Sequence, residues 1–87
     1  MNFNALNGGI TMLHEGNVEK VIVYLNDGDT FTFTEISSVS EHNNERGSLA
    51  LEINHFVDVK TRKRAKNIFV LTNNNVIGYK IVYKSSI

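Results

Sequence analysis

The sequence predicts an all-β domain of five or six antiparallel strands, in a strongly bent sheet or a small closed barrel. Three observations carry this. Residues 49–59 put large aliphatics on nearly every odd position (Leu49, Leu51, Ile53, Val57 and Val59, with His55 among them) and alternate them with Ala50, Glu52, Asn54, Phe56 and Asp58. A period of two marks a strand with one buried face. Residues 19–25 (EKVIVYL) and 30–34 (TFTFT) flank Asn26-Asp27-Gly28-Asp29, where Asp-Gly supplies the positive φ angles of a tight hairpin turn. No window has a sustained helical period; the best candidate is a single turn within residues 35–41.

In chain order, residues 1–17 read as an N-terminal arm in which Gly8-Gly9 precedes one further short strand at residues 10–13. Residues 18–87 read as a single β domain. Its first hairpin puts Phe31 and Phe33 on one face of TFTFT and threonines on the other. After Glu35 the parity slips, because Ile36 and Val39 no longer fit it, which marks a bulge or the end of a strand. Residues 41–47 (EHNNERG) are polar and aperiodic, hence a loop. The long strand follows over residues 48–59, and the basic segment 60–66 turns the chain. Residues 67–72 carry Ile68, Phe69, Val70 and Leu71. Asn73-Asn74-Asn75 makes a turn, since Asn tolerates the left-handed conformation, and residues 76–83 form the last strand.

Composition bounds the rest. A chain of 87 residues is one small domain, burying only about 60 to 65% of its unfolded surface. It has no cysteine, so neither disulfides nor thiolate metal sites supplement the core. That absence suits a reducing compartment. The N-terminal residues lack a basic and apolar leader pattern, and no run approaches the roughly 20 apolar residues of a membrane helix. The expectation is a cytoplasmic protein without membrane contact. Twelve asparagines and no proline match the bias of an AT-rich genome, such as a low-GC bacterium or one of its phages.

Nine basic and nine acidic residues cancel, but five of the basic ones (Lys60, Arg62, Lys63, Arg64 and Lys66) share one seven-residue segment without an acid. The remainder holds four basic residues against nine acidic, a formal charge of minus five. This asymmetry can steer the molecule toward a charged partner. The basic segment suits phosphate contacts through counterion release, with Phe56 and Phe69 as the nearest aromatics for stacking. It equally suits a solvated loop whose like charges keep strand ends from pairing with neighbours.

There is also more apolar strand surface than one sheet face can hide. Val21, Val23 and Leu25 share a face while Ile22 and Tyr24 occupy the other. Ile77, Tyr79, Ile81 and Tyr83 oppose Val76 and Val82. An antiparallel sheet normally shows water one polar face, and no helix is available to cover a second apolar one. Burying four such aliphatics is worth roughly 6 to 10 kcal/mol, comparable with the whole stability of a domain this small. Either the sheet rolls upon itself, or Ile22, Tyr24, Val76 and Val82 meet a partner or a second copy.

Chemistry-bearing groups are sparse. His14, His42 and His55 show no metal-ligand spacing and no HExxH. His55 falls by parity among core aliphatics, where it is expected to stay neutral or bond a backbone carbonyl, unless it sits at a strand bend facing a partner. No G-x-S-x-G or cysteine nucleophile exists, Asp27 and Asp29 are turn residues, and the glycines form no phosphate cradle. The expectation is therefore a non-enzyme without cofactor or metal, acting as a protein-binding module through a strand edge or apolar face, as a small phage or mobile-element accessory or inhibitory protein would.

The alternative is nucleic-acid binding. Residues 21–33 (VIVYLNDGDTFTF), the polar loop with Asn43-Asn44, and Leu71-Thr72-Asn73-Asn74-Asn75-Val76 resemble the Sm-like RNA-binding barrels over roughly residues 18–83. The resemblance implies a small rolled barrel and carries over no RNA-contacting residues; the nucleic-acid reading itself rests on the basic 60–66 loop, with or without an Sm-like ring. The chain departs from the family pattern at the first-loop Asp, which is absent, at the second-strand Gly, replaced by Thr34 or Glu35, and at the Arg-Gly pair, which is Leu71-Thr72.

Overall fold

The structure, a computed structural model, describes residues 10–43, 47–72 and 75–85. These residues form seven strands and no helix: β1 (Ile10–Glu15), β2 (Val18–Leu25), β3 (Thr30–Thr34), β4 (Ile36–Asn43), β5 (Leu49–Asp58), β6 (Lys63–Val70) and β7 (Val76–Tyr83). They make two antiparallel sheets, one of four strands in the order β1-β4-β5-β6 and one of three in the order β3-β2-β7. The all-β expectation holds with seven strands rather than five or six, because residues 36–43 form a strand of their own, and the sheets are not closed into one barrel. The helical turn considered for residues 35–41 is strand β4 instead, because its alternating residues pair on both sides, with β1 and β5. Gly8-Gly9, Asn44 of the polar loop, and Asn73 and Asn74 of the expected turn lie outside the described residues.

One long folded hairpin explains how the two sheets arise. β2 pairs with β3 from Tyr24↔Thr30 to Lys20↔Thr34, and the same two chains go on to pair as β1 and β4 from Glu15↔Ser38 to Ile10↔His42. The ribbon changes sheet at Gly16 (φ 80°) on one chain and Glu35 (φ 55°) on the other, so the parity slip after Glu35 is a corner. Nothing lies within 4 Å of a Cβ built on Gly16, so backbone conformation alone holds glycine there. Gly16→Ala is expected to lower stability by about 1 to 2 kcal/mol, read as a drop in the midpoint of urea unfolding. An unchanged midpoint would remove the corner argument.

The hairpin tip follows Asp-Gly chemistry in a longer form than a two-residue turn. Gly28 takes φ 94°, its N–H donates to the Leu25 carbonyl at 3.1 Å, the Leu25 N–H donates to the Asp29 carbonyl at 2.9 Å, and Asp27 Oδ1 accepts from the Asp29 N–H at 2.9 Å. The β5–β6 turn uses the same device: Asp58 Oδ1 accepts from the N–H groups of Lys60 and Thr61, and Arg62 sits at φ 59°. Both turns draw on the short aspartate side chain's reach to the backbone just ahead.

Between the sheets lie Val18, Val21, Val23, Val39, Leu51 and Ile53, all buried, with Phe33, Phe69, Tyr79 and Ile81 packed around them. The period-two face of residues 49–59 therefore works only in its middle. A register shift between Phe56 and Asp58 ends the alternation, and Val57 and Val59 are exposed. A second shift, between Tyr24 and Leu25 against β7, pairs Val76 with Leu25. Val76 thus packs against the core while Ile77 stands 70% exposed, which corrects the expected grouping of Val76 with Val82.

Candidate functional site

The two open sides of this pair of sheets differ in chemistry. On one side β1 and β4 face β7 across a polar cluster. Glu41 of β4 accepts the Tyr79 hydroxyl through Oε2 and meets His14 Nε2 through Oε1 at 3.3 Å. With Nε2–H donating to Glu41, Nδ1 is the acceptor for the Tyr83 hydroxyl at 2.8 Å. Burial, the bond to Glu41 and the negative charge of Glu41, in that order, push the Tyr79 phenol above its ordinary value. Beside this cluster the β2–β7 ladder ends in a bond from the Lys84 N–H to the Asn17 carbonyl at 2.7 Å. This flank is latched. A carboxylate orienting an imidazole beside a hydroxyl resembles a catalytic arrangement, but neither of the two described grooves is lined by these residues, and each of them spans strands.

On the other side, edge strands β3 and β6 come together through aromatic rings. Phe31 and Phe33 of β3 lie 6.1 and 5.9 Å, centroid to centroid, from Phe69 of β6, and Phe33 lies 5.3 Å from the His55 ring. Phe31 stays 49% exposed. Asn67 Nδ2 donates to His55 Nε2 at 2.9 Å, so the partner of the inward histidine is a side-chain amide rather than a backbone carbonyl. Beside these rings a groove of about 390 Å³ runs between Leu25 and Asn26 on the hairpin tip, Ile68, Phe69 and Val70 on β6, and Val76 on β7.

The ladder geometry shows which backbone groups of β6 point away from the sheet. Leu71 N–H donates to the Leu49 carbonyl at 2.8 Å, and antiparallel pairing alternates hydrogen-bonded with non-hydrogen-bonded pairs. Phe69 and Asn67, opposite Leu51 and Ile53, therefore bond to β5. Lys66, Ile68 and Val70 turn their N–H and C=O groups outward. Pairing between β5 and β6 is regular from Ala50↔Val70 to Phe56↔Arg64, so this edge is straight and uninterrupted.

The basic residues cluster at the start of the same edge. Lys60 and Arg62 occupy the turn, Lys63 begins β6, and Arg64 and Lys66 lie opposite Phe56 and Asn54 on the outer face of the four-stranded sheet. All five are exposed. Among the described residues none has a carboxylate within 4.0 Å, although Arg62 lays its guanidinium 5.5 Å over the Phe56 ring. Ile22, Tyr24 and Val82 share the outer face of the three-stranded sheet with Lys20, Lys80, Thr30, Thr32 and Thr34. They are half-buried, among threonine methyls and lysine stems that shield apolar surface. The exposed large apolar side chains lie chiefly on the edge strands, in Leu13, Phe31, Ile68, Ile77 and Tyr83, and near the β5–β6 turn, in Val57 and Val59.

Phe31, Phe33 and Phe69 were legible as strand residues but not as one cluster, since only strand order makes β3 and β6 neighbouring edges. Among the described residues no group of three or more His, Asp or Glu could hold a metal ion, and no helix is long and apolar enough to cross a membrane. Comparison with protein-family models, curated proteins and solved structures gives no match.

Proposed function

We propose that this chain is a small, non-enzymatic protein-binding module that takes an extended segment of another protein as an extra strand along β6. The observation that carries the reading is the asymmetry of the flanks. β1 and β4 are tied to β7 by side-chain hydrogen bonds, whereas the β3/β6 side offers exposed aromatic surface beside outward backbone groups at Lys66, Ile68 and Val70. Strand addition takes affinity from main-chain hydrogen bonds and specificity from pockets for alternate side chains, and the groove next to Ile68 and Phe69 is such a pocket. An added strand extends the four-stranded sheet toward β3, so the barrel-like closure is completed by the partner. An accessory or inhibitory protein acts in this way, by occupying a strand-forming segment of its target.

The test is Ile68→Pro. Proline has no N–H and is tolerated on edge strands, and the Ile68 N–H faces away from β5, so the ladder survives while the docking donor is lost. Synthetic extended peptides with alternating apolar residues are expected to shift the amide resonances of Lys66, Ile68 and Val70 in the wild-type protein. In the variant, which has no amide at position 68, the Lys66 and Val70 shifts should report at least tenfold weaker binding, consistent with about 1.4 kcal/mol or more for the lost bond and its neighbours. Equal binding by both proteins, or shifts confined to the Ile22, Tyr24 and Val82 face, would sink the reading.

A further inference from the structure

We infer that the segment accepted by β6 is acidic at one end and apolar at the other, its carboxylates lying across Arg64 and Lys66 and its apolar side chains seated beside Ile68 and Phe69. This rests on the strand-addition reading and adds the chemistry of the partner. β6 is built in two halves. Its first half belongs to a segment with five cations and no acid, and among the described residues no carboxylate lies within 4.0 Å of these cations, Asp58 facing Lys63 in register without forming an ion pair with it. Its second half borders the groove with Ile68, 55% exposed, and with Phe69 and Val70.

Eight residues of strand span about 26 Å at 3.3 Å each, so one extended partner segment reaches from the cations to the groove. Cations on an edge repel unwanted strands, and the same charges select a partner bearing the opposite sign. A nucleic acid fits this surface less well. Bases stack on rings beside the charge, and here the ring nearest the cations, Phe56, already lies under Arg62, while the half-exposed Phe31 stands on the other sheet, packed against Phe69 beside the apolar half of β6.

The experiment uses three synthetic peptides that share one apolar half and differ in an acidic, neutral or basic other half, with a polythymidine oligonucleotide as a fourth probe. Fluorescence anisotropy gives affinity and amide shifts give location. At low ionic strength the acidic peptide is expected to bind about tenfold tighter than the neutral one, with the gap narrowing as salt is added, and Arg64→Glu with Lys66→Glu should reverse the preference in a protein that melts as before. Equal binding of all three peptides along β6 overturns the acidic selection and leaves strand addition standing. No peptide binding at any salt concentration overturns both. Tight oligonucleotide binding that displaces the acidic peptide overturns the inference in favour of nucleic acid.

Discussion

Leu51→Ala is expected to remove about 2 to 5 kcal/mol of stability, the cost of lost burial plus the cavity left behind. A chain of 87 residues holds only about 4 to 13 kcal/mol in all, so this one change takes a large share and should lower the melting temperature by roughly 10 to 30 °C. Leu51 is fully buried. It pairs with Glu41 on one side and Phe69 on the other, in the layer where the sheets meet, and its neighbours are strands already fixed by ladders, which leaves little freedom to collapse into the void. The control is Ile68→Ala. That side chain lies on the rim, and its loss is expected to change stability by less than about 0.5 kcal/mol. Calorimetric melting of both variants checks the pair, and similar shifts would mean that the core does not lie between the two sheets.

This contrast separates what was legible in the residues from what was not. Strand identity is local: alternation at Val21, Val23 and Leu25, and at Leu51 and Ile53, is visible in any short window and survives in the structure. The hairpin tip is also local, because Asp27 and Gly28 carry their turn chemistry with them. Strand order is not local. Nothing near Phe31 or Phe69 in the chain says that β3 and β6 are both edges on the same side, and the docking surface exists only because they are. Bulges are a second blind spot. A single extra residue reverses parity, and that is why Val76 turns inward and Ile77 outward. The polar latch is further beyond reach, since His14 and Tyr83 are 69 positions apart and neither stands in a recognisable pattern.

Tyr79→Phe is expected to cost about 1.5 to 3 kcal/mol at neutral pH, the usual worth of a hydrogen bond to a charged acceptor. The ring is retained, so the loss reports the bond to Glu41 rather than packing. Its pH dependence has a defined sign. Desolvation by burial first, then the hydrogen bond and the charge of Glu41, raise the phenol above its ordinary value of 10.0. The unfolded chain therefore gives up this proton first as pH rises. The stabilisation is fully present below about pH 10 and falls away above it, because there the unfolded state binds fewer protons than the folded one. Phenylalanine has no such proton, so the stability gap between wild type and variant should be widest at neutral pH and shrink steadily above pH 10. Urea unfolding midpoints across that range measure it, and a gap independent of pH would remove Glu41 and Tyr79 as the tie between the sheets. The same variant bears on function: it removes one bond of the latch and keeps the Tyr83–His14 bond, so a peptide that adds to β6 in the wild type should lose affinity only as far as the loosened sheets disturb the Phe31, Phe33 and Phe69 cluster on the far side.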